Sequence, residues 1–198
     1  MEESREVLKK RIEKLEVKVQ ALQTDLIHDP LTGLKTRSYF EDEAKVYLDS
    51  LDGLQKKQRK QSFGFTNVSF IFFDIDFFKK INDTHGHLVG DKVLESVAAA
   101  IQSSLREWDT AARWGGEEIV ATLVGAMEED AKNKAEDIRN HVENIEFENN
   151  PELRVTLSAG VASAESGLAL QDVLKRADKA LYKAKETGRN KVVAYSEI

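Results

Sequence analysis

The sequence predicts an α+β fold in which helices pack on a mainly antiparallel sheet, and three observations carry that prediction. An eight-residue apolar run, Val68–Ile75, reads as a central strand buried on both faces. Strand-like runs at 111–114 and 119–124 flank Gly115-Gly116, where glycine supplies the positive φ angles of a tight hairpin turn. Amphipathic patterns at 38–51, 93–106, 128–147 and 170–184 alternate with the strands. The order is therefore helix, strand, helix, hairpin, helix, strand, helix, strand.

Composition bounds the function. With 198 residues, 41% hydrophobic and 32% charged, the chain suits one globular domain plus one additional element. Cysteine is absent, which excludes disulfides and thiolate metal sites and suits a reducing compartment. No apolar run is long enough to span a bilayer, and the N-terminus is too polar for a signal peptide. A cytoplasmic segment without direct membrane contact is expected. The net charge of −6 argues against a nucleic-acid duplex as partner, because phosphate-backbone binding needs a concentrated basic face. A mononucleotide needs only a few well-placed cations.

The first element is a heptad seam. Ile12, Val19 and Leu26 fall at a and Leu8, Leu15 and Leu22 at d, and β-branched residues at a with Leu at d favour a parallel two-stranded coil. A helix lying on its own domain is the alternative, but it would show a wider apolar stripe. Residues 1–28 are therefore read as a coiled-coil stalk and 29–198 as the domain. The seam is short, and we expect it to continue a helix from an upstream sensory domain. Asp29-Pro30-Leu31-Thr32-Gly33-Leu34 is turn-like. A helix follows from Ser38, and the basic run Lys56, Lys57, Arg59 and Lys60 reads as a solvated surface.

The central strand ends in Asp74-Ile75-Asp76. An ionised carboxylate there costs several kcal/mol unless a cation or hydrogen-bond donors meet it. A bound cation is the favoured explanation at this strand end; capping by loop amides is the alternative, better suited to one of the two aspartates than to both. The next segment, 77–91, is rich in short polar side chains and glycine. Asp91 falls in the first turn of the helix marked by Val93, Leu94, Val97, Ile101 and Leu105, where the macrodipole favours a carboxylate. Asn82, His87 and Asp91 can equally converge on a ligand, and an amide with a carboxylate suits the donor and acceptor edge of guanine. Beyond the hairpin, 153–161 alternates as a strand. Gly188 is placed to end the helix of Leu170 to Ala184 at C′. Lys185 and Arg189 there either complement the helix dipole or bind phosphate. A short strand at 192–195 closes the chain.

Several of these residues together resemble one family. Phe73-Asp74-Ile75-Asp76-Phe77-Phe78-Lys79-Lys80-Ile81-Asn82-Asp83, then Gly86-His87 and Gly90-Asp91, then Gly115-Gly116-Glu117-Glu118, then Lys185-Glu186-Thr187-Gly188-Arg189-Asn190 are similar to the GGDEF diguanylate cyclases, in order and spacing, over residues 29–195. The resemblance implies the palm-like sheet of nucleotidyl cyclases and polymerases, with a ferredoxin-like βαββαβ core. It implies condensation of two GTP molecules into cyclic di-GMP and pyrophosphate by a homodimer.

Residue by residue, the resemblance gives Asp74, the Ile75 carbonyl, Glu117 and Glu118 to Mg²⁺, with Mn²⁺ as an alternative and two ions in each half-site. Glu117 is also implied as proton acceptor, with Glu118 beside it in the catalytic pair. Asn82, His87 and Asp91 belong to guanine binding. Lys79, Lys185 and Arg189 belong to the triphosphate, which lies against Gly115 and Gly116. Arg106 and Asp109 match an inhibitory cyclic di-GMP site. Ile119 stands where the signature has Phe, Thr36 where Asn is usual and Ser38 where Arg is common; the first reads as a core exchange, the others bear on the junction with the stalk. The competing readings are a non-catalytic cyclic di-GMP receptor and a cyclase with relaxed base selectivity.

Overall fold

The computed structural model describes residues 26–55 and 64–198, together with 7, 9–12, 14 and 15. Leu8, Val19 and Leu22 of the heptad seam and the basic run at 56–60 lie outside the described residues. Ile12, Leu15 and Leu26 are exposed on helical backbone.

Among the described residues the sheet has six strands. β1 (Lys35–Thr36), β2 (Val68–Ile75), β3 (Thr110–Gly115), β4 (Glu118–Val124), β5 (Leu157–Ser163) and β6 (Val192–Ala194) are arranged β1-β3-β4-β2-β5-β6. The three inner pairings are antiparallel and the two edge pairings parallel. Within it, β3-β4-β2-β5 has the ferredoxin-like order. The helices are α1 (Arg37–Gln55), α2 (Phe78–His85), α3 (His87–Ser104), α4 (Glu128–Glu143) and α5 (Leu170–Glu186).

Every residue of β2 is buried. Ile71, Phe73 and Ile75 face one apolar cluster beneath α2, α3 and α4, while Val68, Phe70 and Phe72 face another beneath α1 and α5. A strand covered on both faces must read as a continuous apolar run, because alternate residues enter different cores. Ile119 is 1% exposed, so the exchange at that position is a core exchange.

Several boundaries differ from the sequence reading. Residues 77–91 are mostly helical: Gly86, with φ 85°, separates α2 from α3. Asp91 consequently lies beyond the first turn of α3, which holds no acid, so a dipole role does not account for it. The strand expected from residue 153 begins only at Leu157. Its partner β2 ends at Ile75, opposite Leu157, and leaves 153–156 without a ladder. The helix expected to reach residue 147 stops at Glu143. The turn uses one positive φ, at Gly116 (54°), because a bulge between Arg113 and Gly115 sets Gly115 opposite Glu118. β1, too short to carry a pattern, was not foreseen.

α5 behaves as expected. Thr187 is its C-cap, Gly188 follows at φ 116°, and the Arg189 N–H donates to the Ala184 carbonyl at 3.0 Å, a Schellman closure. α5 lies so close to β5 that a Cβ on Gly160 would stand 2.0 Å from the Ala177 oxygen and 2.2 Å from the Leu181 nitrogen. Both atoms are backbone, so no rotamer change relieves the clash. Gly160→Ala is expected to destabilise the domain by about 1–3 kcal/mol, the usual overpacking range, seen as a Tm lowered by about 3–10 °C in thermal unfolding.

Candidate active site

The two carboxylates ending β2 have different surroundings. Asp76 is satisfied by the chain: Ser158 donates at 2.7 Å, Thr156 at 2.8 Å and the Asn190 N–H at 3.0 Å. It is the capping aspartate of the pair. Among the described residues Asp74 has one cationic partner, the Lys185 ammonium at 2.7 Å.

Across the ladder Asp74 is paired with Glu118, the first residue of β4, and Glu117 sits in the turn before it. Burial pushes the Asp74 carboxyl up, the bond to Lys185 opposes it, and the Glu117 and Asp76 charges add to the rise. Glu118 is likewise raised, first by burial and then by Asp74. The site therefore concentrates acid that one lysine does not neutralise. Among the described residues, no three Asp, Glu or His side chains are drawn together into a ready metal cage. The donors nonetheless fit a hard divalent cation, since carboxylate and carbonyl oxygens are what Mg²⁺ takes and relief of mutual repulsion is what these acids lack.

Gly115 and Gly116 border this acid cluster. A Cβ on either would meet nothing within 4 Å. Gly116 needs its positive φ, but Gly115 has ordinary φ and open space, so neither strain nor packing within the chain requires glycine there.

Asn82 and Gly90 meet where α2 and α3 pack together. A Cβ on Gly90 would stand 1.8 Å from Asn82 Oδ1, so glycine makes room for the amide. No hydrogen-bond donor of the described chain reaches that buried oxygen. Such orphan acceptors are costly and call for an explanation. His87 begins α3 and Asp91 lies one turn on. Lys79 is exposed on α2. On the other side, Arg189 (φ 62°) stacks its guanidinium 4.5 Å from the Phe77 ring centre, and Phe77 itself has φ 56°. Strained non-glycine backbone gathers at this one place.

Arg106 and Asp109 lie away from this cluster, after α3. Asp109 accepts from the Arg106 N–H and the Val124 N–H, both at 3.1 Å. They border a cleft of about 400 Å³ that also exposes Lys134, Asp130 and Asp137.

Three features escaped the sequence reading. Arg113, in the hairpin motif itself, donates to the Gly116 carbonyl at 3.0 and 3.1 Å and to both carboxylate oxygens of Asp29 at 3.2 and 3.3 Å. It clasps the acidic turn to the turn after the stalk. Asn190 acts through its backbone N–H and its side chain. Arg139 on α4 holds Asn190 from behind, and nothing in its helical neighbourhood marks it. The adjacency of Arg113 to the glycines and the place of Asn190 beside Arg189 were the available signals.

Because Glu118 titrates higher in the folded chain than in the unfolded one, its ionisation destabilises the fold as pH rises through the carboxylate range, and the cost vanishes in acid where both states are protonated. Glu118→Gln is expected to raise the metal-free Tm by about 1–3 °C at neutral pH and to leave it unchanged near pH 4. Thermal unfolding at the two pH values measures this.

The family model for the diguanylate cyclase GGDEF domain matches residues 26–191. Diguanylate cyclase A of Treponema denticola is 41% identical over 167 residues, covering 83% of this chain and 43% of the relative. The response regulator PleD of Caulobacter vibrioides is 42% identical over 171 residues, covering 84% and 36%. The chain thus spans less than half the length of these relatives. Among solved structures, the coiled coil and GGDEF domain of DgcB from Caulobacter crescentus, in complex with cyclic di-GMP, aligns with a TM-score of 0.83 at 29% identity over 94% of each chain. The active GGEEF domain of a diguanylate cyclase from Vibrio cholerae aligns with a TM-score of 0.64 at 36% identity, over 77% of this chain and 95% of that one. The chain belongs to the GGDEF domain family of diguanylate cyclases.

Proposed function

We propose that this chain is a metal-dependent diguanylate cyclase that joins two GTP molecules into cyclic di-GMP, releasing two pyrophosphates, at the interface of a homodimer. The observation that carries the reading is the cross-strand pair Asp74 and Glu118, both raised first by burial and then by neighbouring acids, beside a glycine at 115 that the chain itself does not need.

Each protomer positions one GTP. Asn82 and Asp91 take the guanine edge, the orphan Oδ1 of Asn82 accepting from the base, with His87 in the same segment. Lys185, Arg189 and Lys79 contact the triphosphate, Arg189 held over Phe77. The nucleotide lies against Gly115 and Gly116, where no side chain intervenes. Asp74, Glu117, Glu118 and the Ile75 carbonyl would hold Mg²⁺, with two ions expected in each half-site. When bound, the metal lowers the pKa of the attacking hydroxyl and offsets charge at the α-phosphate.

Glu117 then accepts the proton as the 3′-oxygen of one GTP attacks the α-phosphorus of the other. The new P–O bond forms as the bond to the bridging oxygen breaks, and pyrophosphate carries away the electron pair. The second half-site repeats the step to close the ring. Lys185 holds Asp74 at 2.7 Å, and a divalent cation on that carboxylate would supply the neutralisation that leaves the ammonium for phosphate.

Two further features belong to this reading. The stalk of residues 1–28 pairs two chains in parallel and sets whether their half-sites face each other. Its exposed Ile12, Leu15 and Leu26 support that, as does the exit turn clasped to the hairpin by Arg113. Arg106 and Asp109 bind product as an inhibitory site. Arg106 and Lys134 favour the phosphodiester, while Asp130 and Asp137 in the same cleft work against it and weaken the inhibition.

Incubation of the purified chain with GTP and Mg²⁺ should yield cyclic di-GMP by nucleotide chromatography, and Glu117→Gln should lower turnover at least about a hundredfold, the low end for losing a proton acceptor. Turnover near wild type in that variant removes the metal and base assignment. Calorimetry separates the receptor reading, which requires cyclic di-GMP to bind while a non-hydrolysable GTP analogue does not. Gly115→Ala makes a sharper test. Its Tm should stay within about 2 °C, since the added methyl meets nothing in the chain, while GTP affinity falls about tenfold or more, the equivalent of 1.4 kcal/mol. Unchanged affinity would show that no ligand lies against that backbone.

A further inference from the structure

The loop that follows α5 is in an unfavourable conformation. Gly188, Arg189 and Asn190 are consecutive residues with positive φ, at 116°, 62° and 46°. Left-handed backbone is unfavourable for Arg189, and less so for Asn190, whose short polar side chain tolerates it. The Schellman closure satisfies the end of α5 but stops at Arg189. The remainder must be held from outside the loop.

Two neighbours hold it. On the site-facing side, Asp76 accepts the Asn190 N–H at 3.0 Å. On the far side, α4 supplies Arg139 and its two acids. Arg139 donates from Nη1 to Asn190 Oδ1 at 2.7 Å and to Glu143 Oε2 at 2.7 Å, and from Nε to Glu136 Oε2 at 2.7 Å. Glu143 returns a bond, its Oε1 accepting from Asn190 Nδ2 at 2.8 Å, and Glu136 Oε1 accepts from the Val192 N–H at 3.3 Å. The Asn190 amide is thus used at both ends, and the segment is pinned at 190 and 192.

Arg139 is the centre of this arrangement. Its side chain is 13% exposed, against 37% and 43% for the two glutamates, so the guanidinium is enclosed where its bonds are strong. The guanidinium is planar and forked and reaches both glutamates and the Asn190 amide, which a lysine ammonium does not reproduce. It does not reach the acid cluster.

We propose that Arg139 is a positioning residue for triphosphate binding: by holding Asn190 and Glu143 it keeps the loop after α5 in the left-handed conformation that presents Arg189 over Phe77. The proposal rests on the nucleotide-binding reading of Lys185 and Arg189. Arg139 touches no substrate. Without it the Asn190 amide loses one partner, Glu143 loses its cation, and the loop relaxes toward ordinary φ, carrying Arg189 away from the phosphates. The guanine end of the site, built from α2 and α3, is untouched by this.

That separation supplies the test. Using the full chain, affinities for a non-hydrolysable GTP analogue and for GMP are measured by calorimetry with Mg²⁺, for wild type, Arg139→Met, Arg139→Lys and the surface control Arg176→Met. Arg139→Met should weaken the GTP analogue about tenfold or more, the size of one misplaced charge-assisted hydrogen bond, and leave GMP within about twofold. Arg139→Lys should fall between, and Arg176→Met, whose partner is Glu165 on the surface, should match wild type. In turnover assays the Arg139 variants should raise KM for GTP more than they lower kcat.

Equal loss for both nucleotides, or no loss for either, overturns the proposal, because a general weakening of the fold does not distinguish the two ligands. If Arg139→Met does not fold, the Arg139→Lys comparison decides by the same criterion. A wild-type chain that binds the GTP analogue but forms no cyclic di-GMP overturns the cyclase reading and leaves this comparison intact. A wild-type chain that binds neither nucleotide overturns both.

Discussion

The whole domain is arranged around a strand that cannot bury its own ending. β2 gives both faces to apolar clusters along eight residues and then delivers two carboxylates to the edge of the same interior. Burying an ionised carboxylate is costly unless donors or cations meet it, so each must be answered. The chain answers Asp76 completely, with two hydroxyls and a backbone N–H drawn from β5, its approach and the loop before β6. It answers Asp74 with one lysine and adds two more acids from the neighbouring turn. That asymmetry makes one aspartate a structural pin and the other half of a charged site. The pin also fixes the geometry of the loop that carries the cationic side of the site.

The sequence conveyed what is repeated or locally dictated. A strand with both faces covered has no alternation to hide behind, and the Val68–Ile75 run was legible to the residue. Gly188 at the end of α5 was legible because a helix needs a left-handed residue there. The two aspartates were legible as a pair but not individually, since the partners of Asp76 lie about eighty to more than a hundred residues away in the chain. Where pairing depends on how far a neighbour extends, local pattern misleads. Residues 153–156 alternate like a strand, but the β2 ladder ends at Ile75 opposite Leu157 and only the Thr156 carbonyl still meets it, at the Asp76 N–H. The short helix α2 was obscured by polar residues, two apolar side chains being all that it buries. Its Asn82 carries an orphan acceptor, a property visible only when Gly90 is brought against it.

The second kind of hidden information is the arginine that works at a distance. Arg113 and Arg139 are both ordinary in sequence, yet each spans elements that the chain order separates. Arg113 bridges eighty-four residues to Asp29, whose carboxyl burial tends to raise, but which the Thr32 hydroxyl, the Thr32 N–H and Arg113 together hold below the usual range. Arg139 bridges fifty-one residues to Asn190, and its bond, with that of Asn190, keeps Glu143 low as well. In both cases a planar guanidinium collects a backbone or amide oxygen and a carboxylate at once, which a point charge cannot do.

These two clamps act on different parts of one site, and the difference has a mechanical meaning. Asp74 sits on the most enclosed strand of the sheet and has no freedom to follow its partners. Glu117 sits in a two-residue turn whose Gly116 carbonyl is held by Arg113, and Arg113 is held in turn by the segment that leaves residue 26. Thr36 ties the same segment, donating to the Leu26 carbonyl at 2.8 Å. A displacement of the chain before Asp29 therefore reaches the turn through one ion pair and one pair of hydrogen bonds, without crossing the core. The fixed half of the acid cluster is built into the sheet, and the adjustable half is fastened to the entry segment. If a preceding helix moved this entry segment, the contacts of Arg113 are where the hairpin tip would feel it.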